Sequence, residues 1–194
     1  AWPYDDRRAA DREEERPLIA RLDPEPTPSA APAAPLRGEL GVYAVGGAAL
    51  APGVTLGPRV EVAVGGDGWS LGAAASLHLL GAGDVPGGRV AAPLGAGELH
   101  GCLRLGPWST CAVLAIGTQR FGGDGVTGTA SALWVAPGLR LGGRLPVSPG
   151  VALAATVEGA FPVTRARARV SGETVWETPA AALALGLGVV FTLW

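Results

Sequence analysis

Lysine, asparagine and methionine are absent from the 194-residue chain, and isoleucine occurs only at Ile19 and Ile116. All fifteen basic residues are therefore arginine. The missing types have AT-rich codons, which points to a high-GC genome. The absence of a starting methionine suggests a processed N-terminus. The opening AWPYDDRRAADREEER is polar and is not a signal peptide, so a secretion signal is expected to have been removed or to lie outside this chain. Charge is also scarce: 16% of residues are charged, against about 25% in a typical soluble domain. A formal net charge of −2 gives no basic footprint for nucleic acid. No run of eighteen apolar residues exists, which excludes a transmembrane helix. Two histidines and two cysteines leave little for a metal centre. No Walker loop, GxSxG elbow or calcium loop is present, and no cofactor is expected.

What the chain has in excess is glycine (31) and proline (17), in a sequence that is still 48% hydrophobic. That hydrophobicity excludes a wholly disordered chain. Residues 1–37 differ from the rest. They hold eight acids and six arginines, then the Pro/Ala run DPEPTPSAAPAAP, which reads as an extended, disordered tail or linker. Residues 38–194 form the second part. There, glycine every few positions is unfavourable for helix, at about 1 kcal/mol each relative to alanine. The pattern alternates instead. Val54, Leu56, Val60, Val62 and Val64 share one face; Trp69, Leu71, Leu77 and Leu79 repeat it, as do Leu153, Val157 and Phe161, and Leu183, Leu185, Leu187, Val189, Phe191 and Leu193. Period two means strand. Eight strands are expected, at about 39–49, 54–65, 68–80, 88–105, 109–121, 128–141, 150–163 and 180–194, joined by Gly/Pro/Asp turns. The sixth is the weakest, because Pro137 interrupts it and its alternation blurs around Trp134. The fold class is all-β, an up-and-down antiparallel β-barrel.

The two faces decide which side is wet. One is Val, Leu and aromatic; the other is mostly Gly, Ala, Ser and Thr with few charges. A soluble barrel would charge its outer face richly. Small residues instead suit the cramped interior of an eight-stranded barrel, so the apolar face is expected to meet lipid. The polar set assigned to the lumen is Arg59, Glu61, His78, Glu98, His100, Arg104, Gln119 and Glu158. With both chain ends periplasmic, GGDG, GP and GGRLPVSPG become the inner turns. APG, GAGDVPGG, FGGDGVTG and RARARVSGETVWETP become the outer loops. Trp69, Trp108 and Trp194 then mark one aromatic girdle, and Phe121 and Phe161 the other. Arg165, Arg167, Arg169 and Trp176 fall in the longest outer loop, where the arginines can meet lipopolysaccharide phosphates or a solvated surface.

Cys102 and Cys111 flank the turn Gly106-Pro107. Pairing Leu105 with Trp108 and counting outward sets Cys102 opposite Cys111, in a non-hydrogen-bonded pair with Cα atoms about 4.5 Å apart. A cross-strand disulfide is expected, which fits an oxidising periplasm. The rival, a Cys/His metal site using His100, has the wrong spacing.

The alternating strands, the hairpin GCLRLGPWSTCAVLAIGT (101–118) and the ending ALALGLGVVFTLW (182–194) resemble the small eight-stranded outer-membrane barrels of the OmpA/OmpX type. The likeness is strongest to barrels of high-GC Gram-negative bacteria. It spans residues 38–194. It implies an outer-membrane location, outer-membrane lipid or lipopolysaccharide as surroundings, and insertion by the barrel-assembly machinery, which reads a terminal aromatic. Trp194 matches that aromatic but falls out of phase with the apolar set ending at Leu193. The expected protein is a monomeric, non-enzymatic barrel with a filled lumen and a structural or surface-contact role. Two alternatives stand beside it: a soluble periplasmic lipocalin-like binder whose Val/Leu face lines a pocket, and a barrel enzyme using Ser76 and His78.

Overall fold

The computed structural model describes residues 35–194 apart from 86–87, 125–129 and 171–172. The expected tail therefore lies outside the described residues as far as residue 34, and so does the second half of the turn FGGDGVTG (125–128). Among the described residues there are twelve strands and no helix: β1 (Arg37–Ala48), β2 (Thr55–Gly65), β3 (Trp69–His78), β4 (Ala82–Val85), β5 (Gly88–Ala91), β6 (Leu94–Leu105), β7 (Trp108–Asp124), β8 (Ala130–Ser148), β9 (Val151–Ala160), β10 (Arg167–Val170), β11 (Glu173–Glu177) and β12 (Ala182–Thr192). Eight of them close a ring in the order β1–β2–β3–β6–β7–β8–β9–β12, and β12 pairs back to β1. Every pairing in the ring is antiparallel and joins ring strands that follow one another along the chain, apart from the closing seam. The ring leaves no free edge, which a sheet surrounded by lipid requires.

Local chemistry sets the turns. β6 and β7 are joined by two residues, with Gly106 at φ +63°, the left-handed entry that lets a tight turn match the twist of its strands. Leu105 faces Trp108, and Cys102 faces Cys111.

Several strand ends differ from expectation. The strand expected over 88–105 is two, β5 and β6, because Pro93 has no N–H to continue the ladder. Ala92 instead donates to Gly81 O and Arg120 to Pro93 O. Conversely, β8 runs on to Ser148 through most of GGRLPVSPG, since Leu139, Leu141, Leu145 and Val147 keep alternating outward. Pro137 does not break it. β9 ends at Ala160, and Phe161 N donates to Pro137 O, so the missing donor falls where the partner strand stops. Two of the loops expected on the outer side also contain structure: GAGDVPGG holds β4, which pairs with β5 starting at its last residue, and RARARVSGETVWETP holds the β10–β11 pair.

The polarity is inverted relative to a soluble domain. Val60, Val62, Leu71, Leu99, Leu114, Ile116, Leu139, Leu141, Leu185 and Leu187 all stand exposed on the outside, while Arg59, Glu61, Glu98, Arg140 and Glu158 are buried. An exposed apolar band around a charged interior is the informative departure from ordinary packing. It overturns the lipocalin-like alternative, in which the same Val/Leu face would have lined the pocket.

Candidate functional site

The barrel interior is built by parity. On β2, Arg59 and Glu61 point inward; on β6, Glu98, His100, Cys102 and Arg104 do the same; Gln119 follows on β7 and Glu158 on β9. The chain therefore carries charge inside the barrel, and each buried charge needs a partner there.

The centre is a cluster of two guanidinium groups and three carboxylates. Arg59 lies 3.3 Å from Glu61, 3.1 Å from Glu98 and 3.3 Å from Glu158. Arg140 lies 3.1 Å from Glu61, 2.5 Å from Glu98 and 2.7 Å from Glu158. Each arginine thus touches all three acids. Arg140 on β8 and Glu61 on β2 come from opposite sides of the eight-strand ring. His100 Nε2 stands 3.6 Å from Glu61, and Tyr43 stacks its ring 5.7 Å from the Arg59 guanidinium carbon. A second cluster closes the turn end, where Glu39 takes Arg104 at 2.5 Å and Arg144 at 2.9 Å. Over the described barrel interior, four arginines meet four glutamates.

Sequence reasoning did not find Arg140, Arg144 or Glu39. Arg140 follows the inward phase of Trp134, Ala136 and Gly138, the stretch where the alternation blurs. Charge counting was the available signal. The lumen set as expected holds more acids than the arginines around the centre can match, and Arg140 is the missing cation.

Glycines make room for these groups. Gly72 pairs with His100 across the β3–β6 ladder. A Cβ on Gly72 would collide with the His100 ring and lie 2.6 Å from Val62 O. Gly72→Val is expected to destabilise the barrel by about 1–3 kcal/mol through overpacking, read as a lower urea midpoint, whereas Gly95→Ala, where only the end of Leu77 is near, should be close to neutral.

Toward the other end, His78 Nδ1 lies 3.2 Å from Thr55 Oγ1, and Ser76 Oγ donates to Glu98 at 3.1 Å. Ser76 and His78 therefore bind different partners and form no nucleophile–base pair. Gln119 Nε2 donates to Leu50 O at 2.7 Å. Two cavities of about 20 Å³ each remain between the inward side chains, one beside Tyr43, Ser70 and the two cysteines, the other beside His78, Glu98 and Trp134. Each has room for about one water molecule. The cysteines are joined in a disulfide, with Cα atoms 4.0 Å apart.

The aromatic residues divide differently from expectation. Trp69, Trp108 and Trp194 are exposed at the turn end and Phe161 at the other. Phe121 is not part of the outer girdle. It shares the inward phase of Gln119, is 7% exposed, and packs 5.6 Å from Trp176. Trp176 is accordingly not a free surface residue: with Phe121, Val90, Ala51 and Ala168 it forms an apolar cluster over the mouth. Trp194 is not turned inward either. β12 ends at Thr192, the phase is lost, and the Trp194 ring covers Gly38 on the outer face. In the β10–β11 segment, Arg165 and Arg167 reach Glu177 at 3.8 and 3.1 Å, and Arg169 is exposed.

Neither a protein-family model nor a curated relative matches the sequence. Solved structures do match. The fold is that of the small outer-membrane β-barrels. A major outer membrane protein of Thermus thermophilus aligns with TM-score 0.57 and 13% identity, over 81% of this chain and 99% of that one. Ail, the attachment invasion locus protein of Yersinia pestis, in complex with the heparin analogue sucrose octasulfate, aligns with TM-score 0.51 and 9% identity, over 81% and 97%. Neisserial surface protein A aligns with TM-score 0.50 and 10% identity, over 81% and 97%.

Proposed function

We propose that this chain is an outer-membrane barrel with a closed lumen, monomeric, inserted by the barrel-assembly machinery, and structural or surface-contacting rather than catalytic. One observation supports the reading: the exterior is apolar all round the ring, while the Arg59/Arg140 cluster and the Glu39 cluster cross the bore, and the cavities beside them near Tyr43 and near His78 each have room for about one water. Ions entering such a bore would have to separate buried ion pairs. The contact surface is the β10–β11 segment with Arg165, Arg167 and Arg169. Guanidinium groups there suit phosphate or sulfate oxygens of the outer leaflet, in keeping with the sulfated ligand of the Ail complex.

The chain folded into phospholipid vesicles tests this. An unboiled gel band that shifts on boiling, with no release of trapped glucose, is the expected result. Full folding in detergent-free buffer would refute the membrane reading. Glucose release would refute the closed lumen.

A further inference from the structure

The disulfide lies in an unusual place. Cys102 and Cys111 face the bore, 9% and 3% exposed, between two ionic layers. On the turn side, Arg104 and Arg144 hold Glu39; on the other, Arg59 and Arg140 hold the three central glutamates. The cavity beside the sulfurs is about 20 Å³. Thiol–disulfide exchange needs a reagent sulfur to approach along the axis of the bond being made or broken. Even a tripeptide disulfide far exceeds that space, and the active site of a protein oxidase exceeds it further. Yet the bond is local. Its cysteines are nine residues apart across a two-residue turn, and the pairing 102:111 is set by the β6–β7 hairpin alone.

We infer that the Cys102–Cys111 bond is made on the β6–β7 hairpin before the ring closes, so the chain is the substrate of a thiol–disulfide oxidase at a step preceding membrane insertion. The inference rests on the closed-lumen reading. In the exchange, one cysteine thiolate attacks the oxidase disulfide and displaces one of its sulfurs. The second cysteine thiolate then attacks the mixed disulfide and displaces the other. Two electrons pass to the oxidase, which leaves as a dithiol, and the two cysteine protons end on its sulfurs or in solvent.

The full chain, reduced, is compared in two states with glutathione disulfide as the oxidant: unfolded in urea, and folded into vesicles under reductant that is then removed. Oxidation is followed by maleimide–polyethylene glycol gel shift, and glucose retention is measured on the same vesicles. The folded barrel is expected to oxidise at least about 100-fold more slowly, because reaction must await opening. The native oxidised barrel should likewise resist dithiothreitol until urea is added. A reduced chain that never acquires the heat-shifted band also supports the order, since the bond is then needed for closure. Equal oxidation rates in both states overturn the inference. With glucose retained, they overturn the order of events alone; with glucose released, the closed-lumen reading falls as well.

Discussion

Arg140→Ala is expected to remove about 3–5 kcal/mol of stability, the scale of breaking a buried charge cluster from one side. The change leaves Glu61, Glu98 and Glu158 with Arg59 as their one remaining guanidinium, in the lumen proposed above to be closed. The lost cation matters more than the lost attraction, because three carboxylates would remain in a low-dielectric bore with half their compensation. Urea titration of the vesicle-embedded barrel, read by gel mobility and tryptophan fluorescence, measures it. Arg140→Lys should recover only part of the loss. An ammonium keeps the charge but lacks the planar fork by which one guanidinium reaches three acids. A loss under about 1 kcal/mol, the range of solvated ion pairs, would mean that bulk water reaches the cluster, and the closed-lumen reading would fail with it.

Leu99→Arg is the second large effect, and its dependence on depth is the informative part. Leu99 is 63% exposed on the outer face of β6, halfway along the strand between the inward Glu98 and His100. In a bilayer, arginine there should cost about 2–4 kcal/mol, falling to about 0–1 kcal/mol near the interface. Leu105→Arg, at the turn end of the same strand and also exposed, supplies the interfacial comparison. A membrane barrel therefore gives two unequal urea-midpoint shifts. In water both substitutions replace an exposed leucine with a charge and should be nearly neutral. Equal, small shifts would reject the lipid-facing assignment without reference to any other protein.

The alternation that revealed the barrel is legible because a two-residue period survives any choice of strand ends. Strand ends are not legible in that way. They depend on which neighbour offers a backbone partner, as Pro137 and Pro93 illustrate: one sits harmlessly inside β8, beside the end of β9, and the other separates β5 from β6. Faces are more reliable than ends, and the inward place of Phe121 follows from parity: Gln119 faces the lumen, and two residues later the same face returns. The hairpin that aligned the cysteines was readable because a two-residue turn fixes register with no help from the rest of the chain. Arg140 was hidden for the opposite reason. Its partners come from β2, β6 and β9, and no local pattern announces contacts 79, 42 and 18 residues away. The β4–β5 and β10–β11 pairs were missed because short, glycine- and charge-bearing segments carry too few positions for periodicity to register.

An eight-stranded tube could in principle flatten, since its wall hinges at every strand pair. Here the Arg140–Glu61 contact spans the bore between opposite walls, and Glu98 and Glu158 tie into it from the strands between. The cluster works as a cross-brace. It couples the roundness of the section to the closing seam between β1 and β12: the seam cannot gape without stretching the brace, and the brace cannot let go while the wall is whole. The barrel should therefore give way in one step, with no stage in which the wall has parted around an intact centre.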